Sequence, residues 1–130
     1  MQYLLMLYAD ESGWSRLTPA EQEQGMAAYK AYTEALAKAG ALQGSNRLQP
    51  VATATTVRVS DGKSHVLDGP YAETKEQLGG ILLLEAKDLN HAIQLMSKHP
   101  GVRLGGPFEI RPAAPEINEA SSARGPSGKQ

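Results

Sequence analysis

The chain has 130 residues and a formal net charge of −1, from 13 basic and 14 acidic side chains. This length fits one domain with an ordinary hydrophobic core. The balanced charge disfavours direct nucleic-acid binding and attachment to a membrane, because both depend on concentrated Lys and Arg. The chain has no cysteine, which excludes disulfides, thiolate nucleophiles and Cys-based zinc sites and favours a cytoplasmic protein.

The first part of the chain predicts a buried strand followed by a long helix. Residues 2–9 form an apolar run, typical of a strand buried on both faces. The segment 18–21, Thr-Pro-Ala-Glu, combines an N-cap residue, a proline at the first helical position and a glutamate three residues after the cap. We therefore expect a helix over residues 19–39. Residues 41–49 follow as a short strand or an irregular edge.

The middle of the chain predicts a β-hairpin. Residues 53–60 are rich in β-branched side chains and precede Asp61-Gly62, a strong hairpin-turn signal. Residues 64–68 are then the partner strand. After them, residues 73–77 are expected to form one helical turn.

The last part of the chain predicts a strand, a helix and a final strand. Residues 80–86 are apolar on both faces of a predicted strand, and Asp88 is expected to cap a helix over residues 89–98. Residues 104–111 are expected to form the last strand.

The C-terminal segment has a different composition. Residues 112–130 contain Pro, Ala, Ser, Gly and charged residues, with Ile117 as the only large apolar side chain. Such a segment buries too little apolar surface to order itself, so we expect a disordered tail after a domain of residues 1–111.

The predicted order β-α-β-β-α-β with an added hairpin is typical of an α+β, ferredoxin-like split βαβ fold. Strands 2–9 and 80–86 carry large apolar residues at both odd and even positions, whereas two helices cover only one face of a four-stranded sheet. The simplest cover for the other face is the same sheet of a second copy, related by a two-fold axis. We therefore expect a homodimeric α+β barrel.

One motif resembles a known family. Residues 68–76, Asp-Gly-Pro-Tyr-Ala-Glu-Thr-Lys-Glu, are similar to the Asp-Gly-Pro-Phe-Ala-Glu-Thr-Lys-Glu signature of the YCII-related proteins. The match is to the DGPF branch, named after its first four residues, with Tyr71 in place of the usual Phe. Further similar segments are residues 3–10, 54–58, 78–80 and 109–112. The resemblance implies the same dimeric α+β barrel.

The signature supplies the candidate catalytic residues for a site in the barrel cavity. Asp68 could act as a general base or orient a substrate hydroxyl, or it could only brace the turn by accepting backbone N–H bonds. Lys75 could stabilise an enolate or a carboxylate, or form a solvated ion pair with Glu73 or Asp68. Tyr71 could donate its hydroxyl to a ligand or pack as an aromatic side chain.

The candidate substrate-binding residues are Asp10, Trp14, His65, Gly69, Pro70 and Glu73. Gly69 and Pro70 favour a defined turn that displays the polar side chains. Asp10 and Trp14 follow the first strand. They could line the mouth of the cavity, with Asp10 as a polar group and Trp14 as a flat apolar wall. Alternatively, Asp10 forms a turn and Trp14 is a packing anchor. His65 is the one histidine expected to reach the cavity.

The histidines do not predict a metal site, because His65, His91 and His99 lack paired ligand spacing. His91 and His99 are expected near the ends of the second helix in solvated or capping roles. Some members of the wider family carry a His and Asp pair regarded as an active site, with the His on the first helix. Helix 19–39 contains no His here, so that pair is not carried over. We expect no metal and no cofactor.

Two functions follow as hypotheses. The first is a small-molecule enzyme that performs cofactor-free proton transfer, elimination or isomerisation, with Asp68 as the base and with Lys75 and Tyr71 stabilising charge. The alternative is a non-catalytic binding or regulatory module. The resemblance implies an indirect link to an extracytoplasmic-function sigma factor, because members of this branch frequently neighbour such factors.

Overall fold

A computed structural model describes residues 1–104, 106–115 and 117. Its helices and strands are, in chain order, β1 (Gln2–Ala9), α1 (Glu11–Ser15), α2 (Pro19–Lys38), β2 (Leu42–Arg47), β3 (Thr55–Ser60), β4 (Lys63–Asp68), β5 (Gln77–Glu85), α3 (Leu89–Ser97) and β6 (Phe108–Pro112). Short 3-10 helices occupy Val51–Thr53 and Pro100–Leu104. Within these residues, no helix is long and apolar enough to cross a membrane.

The main sheet has four antiparallel strands in the order β2-β5-β1-β6. The first strand therefore lies in the interior of the sheet, where Leu5 pairs with Leu82 of β5 on one side and with Ile110 of β6 on the other. This is the ferredoxin-like order, and it confirms the predicted α+β split βαβ fold.

The core lies between one face of this sheet and the helices. Side chains alternate across a strand, so Tyr3 and Leu5 of β1 and Leu82 and Leu84 of β5 point to the same side and are buried there. The other buried apolar residues of this core are Leu36, Ala41, Ala86, Ala92 and Met96.

The intervening positions form the opposite face, which we call the open face. It carries Leu4 and Met6 of β1 and their partners Leu83 and Ile81 of β5. All four side chains are half-buried. The sheet is thus apolar on both faces, as the two continuous apolar runs predict, while the helices cover only one of them.

Helix α2 begins where the capping signal predicts. The Thr18 hydroxyl accepts a hydrogen bond from the Glu21 backbone N–H at 3.1 Å, and the Glu21 carboxylate accepts one from the Thr18 backbone N–H at 2.9 Å. This reciprocal pair satisfies two backbone donors at the helix start. The Tyr32 hydroxyl then ties α2 to α3 by donating to the Leu95 carbonyl at 2.7 Å.

Strands β3 and β4 form a separate two-stranded sheet, which we call the hairpin arm (residues 55–68). Its turn has positive φ at Asp61 (52°) and Gly62 (75°), the conformation that the Asp-Gly signal predicts. Every side chain of the arm except Thr56 is exposed. The arm therefore projects from the domain without contributing to its core.

Two local predictions are wrong. Residues 73–77 form no helical turn, because the Gln77 amide donates to the Thr74 carbonyl and Gln77 already begins β5. The last strand begins at Phe108, after the 3-10 helix Pro100–Leu104. The Pro100-Gly101 pair favours this tight turn over an extended strand.

The predicted domain boundary falls close to the end of the sheet. Strand β6 includes Pro112, and the Ala113 backbone N–H donates to the Gln2 carbonyl at 2.9 Å. Most of the predicted tail, residues 116 and 118–130, lies outside the described residues.

Candidate active site

The candidate residues lie around the end of the main sheet where β1 finishes and β5 begins. Ala9 pairs with Gln77 at this end. The short helix α1, which follows Asp10, therefore lies beside the signature loop (residues 69–76), which enters β5. The topology brings together two chain segments that are far apart in sequence.

Asp10 is held as an ionised carboxylate chiefly by the residues that it caps. Its Oδ1 accepts hydrogen bonds from the Ser12 hydroxyl at 2.7 Å and from the Ser12 backbone N–H at 3.0 Å, which cap α1. These bonds lower the pKa of Asp10, and the positive charges of Arg16 and Lys75 lower it further. Asp10 and Lys75, predicted separately, therefore act on each other electrostatically.

Trp14 lies on helix α1, the helix that Asp10 caps. Its ring lies under the guanidinium of Arg47, 5.0 Å from the ring centroid, and its carbonyl accepts a hydrogen bond from the Gln22 amide at 2.9 Å. The Glu11 carboxylate also accepts a bond from the Val51 backbone N–H at 3.0 Å. Helix α1 is thus fixed to α2 and to the segment after β2, and Trp14 is both a packing anchor and a half-buried surface.

The signature loop is anchored to the base of the hairpin arm. Gly69 has a φ of 106°, which favours glycine, as predicted for this turn. Its N–H donates to the Ala54 carbonyl at 2.7 Å, and its carbonyl accepts from the Thr56 hydroxyl at 2.8 Å. Gly69 and Pro70 are half-buried, whereas the side chains from Tyr71 to Glu76 are exposed.

Tyr71 belongs to a second group of side chains on the arm. The guanidinium of Arg58 lies 4.8 Å from the centroid of the Tyr71 ring, and His65 pairs directly opposite Arg58 in the β-ladder. Strand alternation puts Arg58 and His65 on the same face of the arm. Sequence reasoning missed both arginine contacts, because each joins residues that no local pattern relates.

The three candidate catalytic residues occupy different surroundings. Asp68 pairs opposite Thr55 on the other face of the arm from His65, Tyr71 lies on Arg58, and Lys75 is near Asp10. Among the described residues, Asp68 accepts no turn-bracing N–H bond, and Lys75 forms no ion pair with Glu73 or Asp68. The side chains of Asp68, Tyr71 and Lys75 are exposed, so a single chain does not enclose them.

Comparison with known proteins gives the family. Residues 1–116 match the YCII-related domain. The chain belongs to the YCII-related family. A curated relative, an uncharacterized protein of Rhizobium meliloti (strain 1021), is 37% identical over 118 residues, which are 88% of this chain and 93% of the relative.

The fold of this YCII-related protein is also found in a solved enzyme structure. That structure is the 5-chloro-2-hydroxyhydroquinone dehydrochlorinase TftG from Burkholderia phenoliruptrix AC1100, in complex with 2,5-dihydroxybenzoquinone. The match covers 88% of this chain and 94% of TftG, with a TM-score of 0.52 and 16% sequence identity. At this identity the likeness supports the fold.

The other histidines of the YCII-related protein have structural roles. His91 accepts a hydrogen bond from the Lys87 backbone N–H at 3.0 Å at the start of α3, in keeping with a capping role. His99 was predicted to have a solvated or capping role, and the structure instead buries it in the core. In the part of the chain that the structure describes, no three His, Asp or Glu residues are grouped to hold a metal ion.

His99 is surrounded by aromatic rings. The ring centroids of Tyr29, Tyr32 and Phe108 lie 5.5, 4.9 and 5.3 Å from that of His99, all in edge-to-face geometry. Its Nδ1 accepts a hydrogen bond from the Gly101 N–H at 2.9 Å, and its Nε2 has no hydrogen-bond partner among the described residues. Burial lowers the pKa of His99 to about 4. His99 is therefore neutral near pH 7.

A shallow hollow of about 290 Å³ lies at the opposite end of β1. Its lining includes Glu85, Lys87, His91 and Leu95. None of the candidate site residues lines it, so it does not correspond to the predicted site.

Proposed function

We propose that this YCII-related protein is a homodimer that binds a small molecule at the signature-loop end of its sheet and acts on it without a cofactor. The reaction class is proton transfer, elimination or isomerisation. The observation that carries the proposal is that the charge of Lys75 acts on the Asp10 carboxylate, which caps the short helix carrying Trp14.

The charges at this end of the sheet suit such chemistry. A carboxylate, either Asp68 or Asp10, takes a proton from the substrate. The electron pair left behind is held as an enolate beside the Lys75 ammonium, or it expels a leaving group such as chloride. Trp14 offers a flat apolar surface for a compact ring. Tyr71 is the candidate hydroxyl donor, and His65, Gly69, Pro70 and Glu73 complete the candidate binding residues.

The solved structure with the same fold supports this reaction class. TftG is named as a dehydrochlorinase and holds a dihydroxybenzoquinone. Dehydrochlorination is an elimination that needs a base and stabilisation of an oxyanion, and both kinds of group are present here. We take hydroxylated quinones and hydroquinones as the first ligand class to test.

The open face supports the homodimer. Leu4, Met6, Ile81 and Leu83 form a continuous apolar surface on the side of the sheet without helices. A second copy packed on this face would bury these side chains at about 25 cal/mol per Å² of apolar area. It would also help to enclose the candidate residues that a single chain leaves exposed.

The test measures the binding of 2,5-dihydroxybenzoquinone by isothermal titration calorimetry. The wild type should bind it, and Lys75→Met should weaken binding by about tenfold, because one charge-assisted contact is lost. Lys30→Met is the matched control, since Lys30 is an exposed lysine of α2 away from the loop.

The base is assigned by a second measurement. Chloride release from a chlorinated hydroquinone is compared in Asp68→Asn and Asp10→Asn, with folding checked by circular dichroism. Loss of release in one variant identifies the base. Absence of quinone binding by the wild type, or an equal loss in Lys75→Met and Lys30→Met, would refute the site.

The alternative of a regulatory module linked to a sigma factor is not part of the proposal. The described residues and the similar proteins offer no observation that favours it.

A further inference from the structure

The hairpin arm is unusual because it is ordered without cover from the rest of the chain. It forms its own two-stranded sheet, and its base is tied to the domain through the bonds of Gly69 to Ala54 and Thr56. A lone two-stranded hairpin is marginally stable in water. Its two faces are exposed, so the arm needs a surface to pack against.

The two faces of the arm differ in character. One face carries Val57, Val59 and Val66, which are 59%, 70% and 64% exposed, and we call it the valine face. The same face also carries Thr55, Ser64 and Asp68. The other face carries Arg58, Lys63, His65 and Leu67, with Tyr71 stacked on Arg58. Three neighbouring valines that are all exposed indicate that their side of the arm is an interface.

The open face alone is too small for a stable homodimer. A fully exposed aliphatic side chain supplies on the order of 100 Å² of apolar surface. The apolar side chains of the open face, which include Tyr8 and Leu78 beside the four already named, are all half-buried. Together they supply less apolar surface than a stable interface contains, since such an interface buries about 800 Å² per partner, more than half of it apolar. The homodimer therefore needs further apolar surface, and the arm provides it.

We propose that the valine face of each hairpin arm docks on a second copy of this chain. The inference rests on the homodimer of the proposed function. Under two-fold symmetry each arm packs on the other protomer, so the interface contains two copies of the valine-face contact. A membrane is a poorer occupant, because the cations of the arm, Arg58 and Lys63, lie on the face opposite the valines, whereas membrane-binding surfaces combine apolar and basic groups.

The test compares Val59→Asp with Ser60→Asp. These neighbours lie on opposite faces of β3 and are both exposed in the single chain, so either carboxylate should leave the protomer folded. Dimer dissociation constants are measured by analytical ultracentrifugation, with folding checked by circular dichroism. Val59→Asp should weaken the dimer by roughly 100-fold, because it buries an unpaired charge, whereas Ser60→Asp should change it by less than about threefold.

A third variant, Met6→Lys on the open face, separates this inference from the homodimer itself. If Met6→Lys dissociates the dimer while Val59→Asp leaves it intact, the arm proposal is overturned and the homodimer stands. If the wild type is a monomer at all concentrations, both fall. Weakening by Val59→Asp and not by Ser60→Asp supports the docked arm.

Discussion

The buried His99 should make the stability of the protein fall sharply in mild acid. Its pKa is about 4 in the folded chain, where burial disfavours the charged ring, and about 6.5 in the unfolded chain. Between these two values the unfolded state binds a proton that the folded state does not, so the free energy of unfolding decreases as the pH falls through this window. The full gap corresponds to about 3 kcal/mol.

Urea unfolding at fixed protein concentration measures this loss. Between about pH 7 and about pH 4.5 the wild type should lose about 2 kcal/mol through His99 alone. The variant His99→Phe keeps an aromatic ring between Tyr32 and Phe108 but cannot be protonated. Over the same pH range its free energy of unfolding should fall by about 2 kcal/mol less than that of the wild type.

The control for this experiment is Leu67→Ala, which changes an exposed side chain of the hairpin arm and leaves every ionisable group in place. The pH dependence of its stability should match that of the wild type. If His99→Phe and the wild type lose the same free energy of unfolding on acidification, burial of a neutral His99 is not what makes the fold sensitive to acid.

Two further predictions concern stability at neutral pH, both measured by denaturant unfolding. Leu82→Ala leaves a cavity at a fully buried position of β5 and should lower the free energy of unfolding by roughly 2–5 kcal/mol. Leu67→Ala on the exposed arm should lower it by less than about 1 kcal/mol. Equal losses of stability in the two variants would contradict the location of the core. Thr18→Ala removes the hydroxyl that caps α2 and should cost about 1 kcal/mol. Thr18→Ser keeps that hydroxyl and should retain most of the stability, so an equal loss in both variants would exclude the cap as the cause.

The sequence predicts the elements whose signals are local. The segment 18–21 carries the capping box of α2, Asp61-Gly62 fixes the hairpin turn, and Asp88 caps α3 through the His91 N–H. Each of these signals acts through hydrogen bonds or backbone angles within a few residues. The apolar runs of β1 and β5 similarly predict strands that are apolar on both faces.

Predictions that depended on tertiary context failed. His99 lies near the end of α3, where a solvated role was reasonable, but Tyr29 and Tyr32 of α2 and Phe108 of β6 close over it. The turn at residues 73–77 is absent because pairing of Gln77 with Ala9 extends β5 towards the signature loop. In both cases partners distant in sequence outweighed local preference.

The candidate site likewise combines features that local sequence patterns predict with contacts that they do not. Local patterns predicted the turn at Gly69, whereas the electrostatic effect of Lys75 on Asp10 joins two candidate residues that are far apart in sequence. The contacts of Trp14 with Arg47 and of Tyr71 with Arg58 join separate elements. No spacing rule in one sequence relates such pairs, so they became visible only in the folded chain.

The position of β1 also bears on how the protein reaches its fold. Leu5 is made well before both of its strand partners, Leu82 and Ile110. The central sheet cannot assemble until both partner strands have left the ribosome, and closing such long loops slows folding. Until then the apolar β1 segment is unpaired and open to aggregation with other chains.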